Sequence, residues 1–280
     1  MMAKLRNSWE LVKASARVLQ ADKELIVFPL ISGVALIVVS ASFFLPLFVF
    51  GSGFSVPEEG GGVLGYVLLF LFYLVQYTVI FFFNSALVGA AMIRLEGGDP
   101  TVGDGLRIAF QHLGAILGYA AIAATVGVIL RTARERAGGL GKIVVGLVGM
   151  AWSLATYLVV PVLVTRNVGP IEAVKQSAAI LKRTWGEQIV GGGGIGLVFG
   201  LMFVALAVIA VPTVIFVFTT GQAALIAAAI AVFVLAFILL ALVNATLSGI
   251  YSAALYRFAT QGDAGRFDDQ LMRRAFLPKG

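Results

Sequence analysis

Cysteine is absent from the 280 residues, and histidine occurs once, at His112. The first absence excludes disulfides, thiol catalysis and thiolate metal sites. The second leaves no histidine pair for a metal; His112 reads as an interfacial surface residue with no second ligand nearby. Charge is also scarce. Asp, Glu, Lys and Arg make up 12% of the chain, against about a quarter in soluble domains, too little to wet the surface of a globule. No acidic, basic or histidine residue falls in the central part of any long apolar run, where proton-coupled pumps and many ion-coupled transporters place costly buried charges. The acidic pairs Glu58/Glu59 and Asp268/Asp269 have no evident partner for general acid–base work. No catalytic residue, cofactor or metal is therefore expected, and a non-enzymatic protein is.

Hydrophobic residues fill 60% of the chain, in six runs: Leu25–Phe50, Val63–Ile93, Leu113–Leu130, Ile143–Val164, Ile189–Thr219 and Ala223–Tyr256. A helix rising 1.5 Å per residue crosses a hydrocarbon core of about 30 Å in about 20 residues. The runs are continuous rather than alternating, which favours helices over a barrel. The expectation is an all-α polytopic membrane protein, one domain over 1–280 with six transmembrane helices, an amphipathic segment at 1–24 and a tail at 260–280. The first run is too long for a typical secretory leader and reads as an uncleaved span.

Basic residues settle the expected orientation. Sixteen of the twenty Lys and Arg fall on the side of the termini, and only Arg131, Arg134, Arg136 and Lys142 on the other. The positive-inside rule then places both termini in the cytoplasm; the expected location is a plasma membrane, which the family resemblance below implies to be prokaryotic. The third loop, Arg131–Lys142, is the exception; it lies at the outer headgroup plane or meets a partner. The net charge of +6 orients the protein and meets anionic lipid, so nucleic acid is not an expected partner.

Three segments on the terminal side have helical amphipathic spacing: Ser8–Gln20, Thr101–His112 and Pro170–Trp185. Asp99-Pro100-Thr101 supplies a cap with proline in the first turn, and Pro170 after Gly169 supplies a helix start. Such helices can lie in the interface with the apolar face down, placing Trp9, Trp185, Lys182 and Arg183 at headgroup level. Each precedes an odd-numbered span, so the chain reads as three parallel two-span repeats. Asn84-Ser85-Ala86-Leu87-Val88-Gly89 and Asn244-Ala245-Thr246-Leu247-Ser248-Gly249 share the pattern N-x-x-L-x-G in spans two and six. Mitochondrial carriers also have three two-span repeats, but the sequence after Pro161 lacks their acidic residue.

Asn84 and Asn244 are amides at bilayer depth and need partners: each other, Gln76, Thr78, Ser153 or Thr156. They serve interhelical bonding or the lining of a pathway. Gly192, Gly196 and Gly200 recur every four residues on span five, with Gly114 and Gly118 on span three, as in close helix packing. The lysine and hydroxyl of a phosphate-binding loop are absent there. Pro46, Pro161 and Pro212 fall inside spans, where they can kink a helix.

Asn84-Ser85-Ala86-Leu87, Asp99-Pro100-Thr101-Val102, Ala151-Trp152-Ser153-Leu154-Ala155-Thr156, Pro161-Val162-Leu163-Val164 and Leu181-Lys182-Arg183-Thr184-Trp185-Gly186-Glu187 stand in a familiar arrangement. The chain resembles an uncharacterised family of six-span prokaryotic integral membrane proteins. In layout alone it is similar to the membrane domain attached to some glycerophosphodiester phosphodiesterases. That resemblance implies a membrane location and transfers no site residue. The expected role is membrane organisation, lipid binding or scaffolding through helix packing and self-association. The alternative is a transporter or channel for a neutral or amphipathic solute. Expected partners are membrane lipids and a second copy of the chain or another membrane protein.

Overall fold

In the computed structural model, residues 2–49, 63–185, 195–265 and 267 are described. Glu58, Glu59, Gly192, Asp268 and Asp269 lie outside them, as do the side chains of Pro46 and Trp185. The described residues are helical, without strands. Six helical stretches are long and apolar enough to cross a membrane: Lys23–Leu45, Gly65–Leu95, Leu113–Arg136, Gly139–Thr165, Ile195–Thr219 and Ala223–Gln261.

The elements run α1 (Met2–Ala21), a 3-10 turn (Lys23–Ile26), α2 (Val27–Val49), α3 (Val63–Leu95), α4 (Val102–Gln111), α5 (Leu113–Arg136), α6 (Gly139–Ala155), α7 (Val159–Thr165), α8 (Pro170–Trp185), α9 (Ile195–Thr219) and α10 (Ala223–Gln261). The short helices α1, α4 and α8 precede the first, third and fifth spans. The order matches the pattern read from sequence, but the units are not packed alike. Leu87 of α3 fills the space beside Gly249 of α10, whereas Gly89 is filled by Ile108 of α4.

Local chemistry accounts for the helix starts. Thr101 caps α4: its Oγ1 accepts from the Asp104 N–H at 3.2 Å, and Asp104 Oδ2 accepts from the Thr101 N–H at 3.0 Å. This reciprocal pair satisfies two backbone donors that a helix start leaves free. Glu24 Oε2 takes a further one, the Val102 N–H, at 3.1 Å. Pro170 opens α8, where its missing N–H costs nothing. At the far end of α10, Gly262 adopts φ 78° and returns its N–H to Phe258 O at 3.0 Å. That left-handed turn stops the helix and suits glycine best.

The fourth span is broken. α6 ends at Ala155 and α7 begins at Val159, with Pro161 in the first turn of the new helix. The proline cannot donate to an unbroken ladder, and a fresh helix start removes that conflict.

Burial is concentrated at one end of the bundle. There α1, α4, α7 and α8 gather around the last turns of α3 and α10 in a collar. Leu11, Leu25, Phe28, Leu87, Leu158, Leu163, Leu247 and Ile250 are 2% exposed or less. Withdrawn from water, a Leu or Phe side chain contributes roughly 1.5–3 kcal/mol. At 39 residues α10 spans about 58 Å by helical rise, so it crosses a bilayer and continues into the collar.

Candidate functional site

The collar carries the most elaborate polar chemistry among the described residues, and arginines tie it together. Arg94, at the end of α3, donates from Nη2 to Ala21 O at 3.0 Å and from Nη1 to Gly98 O at 3.1 Å and Asp99 Oδ1 at 2.9 Å. One guanidinium thus holds the last carbonyl of α1 and the α3–α4 link. Its side chain is 13% exposed. Arg257, near the end of α10, pairs with Asp263 at 2.8 Å and faces Glu96 at 3.6 Å. Arg166 donates to the Tyr256 hydroxyl at 3.0 Å and to Gln176 at 3.0 Å. Arg183 reaches Ala259 O at 3.3 Å. Charge-assisted bonds of this kind are stronger than neutral ones and fix orientation.

The titratable groups follow their surroundings. Burial pushes the Asp22 carboxyl above the usual range, against the lowering pull of Arg94. The Thr101 side-chain and backbone bonds hold the Asp104 carboxyl below its usual value. The Arg257 bond, then the Gly265 N–H, do the same for Asp263. Asp22, Lys23, Glu24, Asp99, Pro100 and Thr101 line an open cleft of about 380 Å³ between the 3-10 turn and the start of α4. Among the described residues, no three His, Asp or Glu side chains converge as a metal site.

The break in span four is held by the collar. Ser177 of α8, fully buried, accepts the Leu158 N–H at 3.0 Å. An unpaired N–H at that depth costs several kcal/mol in lipid, so one hydroxyl makes the discontinuity tolerable. Thr156 turns back to Trp152 O at 2.8 Å, and Tyr119 of α5 interacts with it.

The intramembrane polar residues named from sequence stand at three separate places. Gln76 of α3 donates to Ser40 of α2 at 2.8 Å, joining two spans. Asn244 accepts from Ser248 of its own helix at 3.4 Å. Asn84 faces α10, with Oδ1 3.6 Å from the point where a Cβ on Gly249 would stand. Asn244 lies five residues before Gly249 and so about 7.5 Å further along the span. No bond joins Asn84 to Asn244 among the described residues.

The glycines divide in two. A Cβ on Gly118 would stand 2.8 Å from Pro170, so α5 and α8 touch closely there. Gly114, Gly196 and Gly200 meet nothing within 4 Å among the described residues. Other close-packed glycines escaped the sequence reading. A Cβ on Gly105 would stand 2.5 Å from Phe28 and 2.7 Å from Ala86 O, and one on Gly89 2.8 Å from Ile108. Gly89 and Gly249 end the shared N-x-x-L-x-G pattern, and that position was the available clue.

The interface residues also separate. Trp9 is 47% exposed and lies under Lys13, whose Nζ is 5.9 Å from the ring centroid. Lys182 and Arg183 are exposed. The apolar face of α1, however, does not look outward. Leu11, Val12 and Val18 are buried, and α1 packs on α9 and α10. The expected interfacial helix with its greasy face in lipid is instead a helix with that face in protein.

Six apolar spans capped by a packed collar define a multi-pass α-helical membrane protein. Residues 63–267 match the Family of unknown function (DUF6159), and the chain belongs to that family. No curated protein matches the chain.

Proposed function

We propose that this chain organises the membrane without catalysing a reaction, binding lipid and associating with further copies of itself through its spans. In this reading the setting is a prokaryotic plasma membrane with both termini cytoplasmic, an orientation that the asymmetry of Lys and Arg supports. The observation that carries the reading is the pair of open glycines on α9. Gly196 and Gly200 lie four residues apart, and among the described residues nothing stands within 4 Å of a Cβ added at either. Small residues free of intrachain contacts let a second helix approach closely. Cross-linking in lipid bilayers tests this. Gly196→Leu is expected to reduce the cross-linked dimer several-fold while the thermal midpoint in detergent holds. An unchanged dimer fraction would contradict the proposal.

The alternative is transport of a neutral or amphipathic solute, and the broken fourth span favours it. Interrupted helices recur at transporter binding sites, and substrate would here have to reach a break whose Leu158 N–H is held by Ser177. Proteoliposomes challenged with glycerol report on this reading. Swelling faster than in empty vesicles, abolished by Asn84→Leu with Asn244→Leu, would support transport. Swelling equal to that of empty vesicles, or surviving the double substitution, counts against it for this solute class or for a role of the asparagines.

A further inference from the structure

The end of the bundle opposite the collar carries a cationic tip that neither the collar nor the α9 surface explains. Spans three and four form a hairpin joined by Ala137 and Gly138 alone. Arg131, Arg134, Arg136 and Lys142 surround that joint, with Glu135 the sole acid in the stretch. By helical rise along the 24 residues of α5, the tip stands about 36 Å from the collar.

Two of the cations are aimed by tyrosines of α3. Arg131 Nη1 donates to the Tyr73 hydroxyl at 3.4 Å, and Arg136 Nη2 to the Tyr66 hydroxyl at 3.4 Å. Arg131 also meets Glu135 at 2.8 Å. Arg134 and Lys142 are exposed and have no ion-pair or hydrogen-bond partner among the described residues. Helix stability accounts for part of this set. Arg134 and Arg136 in the last turn of α5 suit the negative end of its dipole. Lys142 does not fit that account, because it stands in the first turn of α6, where the dipole disfavours a cation.

Immediately beside the cations the surface turns apolar. Leu140 is 83% exposed, Ile143 60%, Val144 59% and Leu147 58%. A net positive rim above a greasy stripe is complementary to one kind of molecule, with an anionic head and hydrocarbon tails. A soluble anion would use the cations and leave the stripe unmatched. A zwitterionic lipid would use the stripe and leave the excess charge uncompensated.

We propose that the Arg131–Lys142 hairpin tip is a binding surface for an anionic phospholipid. The guanidiniums and Lys142 hold the phosphate, and Leu140, Ile143 and Val144 carry the acyl chains. This deepens the lipid-binding half of the function proposed above and is independent of its self-association half.

Native mass spectrometry of the full chain, titrated with phosphatidylglycerol or phosphatidylcholine, tests it. The unaltered chain is expected to prefer phosphatidylglycerol. Arg134→Gln with Lys142→Gln removes no contact among the described residues, so the fold is expected to hold, and the preference is expected to fall roughly tenfold. Tyr66→Phe with Tyr73→Phe keeps every charge but frees the aimed guanidiniums, and a drop of a few fold is expected. Lys13→Gln with Arg17→Gln, at the opposite end, is expected to leave the preference in place. An unchanged preference in the Arg134/Lys142 variant overturns the proposal. So does equal loss in the Lys13/Arg17 variant, or displacement of the lipid by millimolar inorganic phosphate. Retained cross-linking of the Arg134/Lys142 variant keeps failure here distinct from failure of self-association.

Discussion

The two ends of the bundle are packed by different rules. At the collar, α1, α4 and α8 cover the ends of the spans. Gly89, Gly105, Gly118 and Gly249 sit there in contact with neighbouring helices, and arginines bond carbonyls of other elements. Towards the opposite end, the spans turn apolar side chains outward: Ile37, Val38, Val208 and Phe216 are each more than 60% exposed before any lipid is added, and Ile215 is 61% exposed. Water drives the first arrangement, since burial there removes apolar surface from an aqueous phase. Lipid permits the second, because hydrocarbon solvates an apolar side chain as well as another one does. A substitution should therefore be judged by which end it falls on.

The largest expected difference comes from adding bulk. Gly105→Val drives a branched side chain into Phe28 and the Ala86 carbonyl, and overpacking of that kind costs roughly 1–3 kcal/mol or more. A large fall in the thermal midpoint in detergent is expected. Gly65→Val at the opposite end of α3, where no atom of the described residues lies within 4 Å, should leave the midpoint nearly unchanged. Equal effects would erase the distinction between the ends.

Next in size is Ser177→Ala. It strips the Leu158 N–H of its acceptor, and a buried donor left unpaired costs roughly 1–3 kcal/mol. Chemical denaturation in mixed micelles measures this. A loss below the error of the assay would mean that the break in span four is stabilised some other way.

Thr101→Ala is expected to cost about 1 kcal/mol through loss of the α4 cap, read by the same denaturation. The partner in that cap is pH-sensitive. Because the folded-state value of Asp104 is lowered, its contribution is present above 3.8 and is lost as pH falls through the depressed value. Asp22 runs the other way. Its raised folded value means that ionisation opposes the fold, so its penalty grows as pH rises from 3.8 through that value. Asp22→Asn should accordingly stabilise the protein at neutral pH and be neutral in acid. This is the smallest predicted effect, and destabilisation at pH 7 would show that the attraction of Arg94 outweighs desolvation.

How much of this was visible in the residues follows the same division. The six spans were legible because length and continuous hydrophobicity reflect the solvent directly. A cap before α4 was legible because capping needs only local sequence, but the reading set proline in the first turn, whereas Thr101 is the cap and Pro100 precedes the helix. Contacts were not. Hydropathy gives α1 an apolar face without saying whether lipid or protein covers it, and Leu11 and Val18 turned out to face protein. Pro161 marked span four as irregular, but the hydroxyl that stabilises the break lies on Ser177, in another helix. The open sides of Gly196 and Gly200 could not be told from the filled side of Gly118, since spacing is the same in both cases.

Methyl NMR with a lipid-soluble paramagnet measures what covers each surface without altering a residue. In micelles doped with a doxyl-labelled lipid, the methyls of Ile37, Val38, Val208 and Ile215 should broaden strongly. Those of Leu11, Val18 and Leu25 should stay sharp, because protein shields them. Broadening of Leu11 and Val18 to the same degree would place α1 on the lipid and contradict the packed collar.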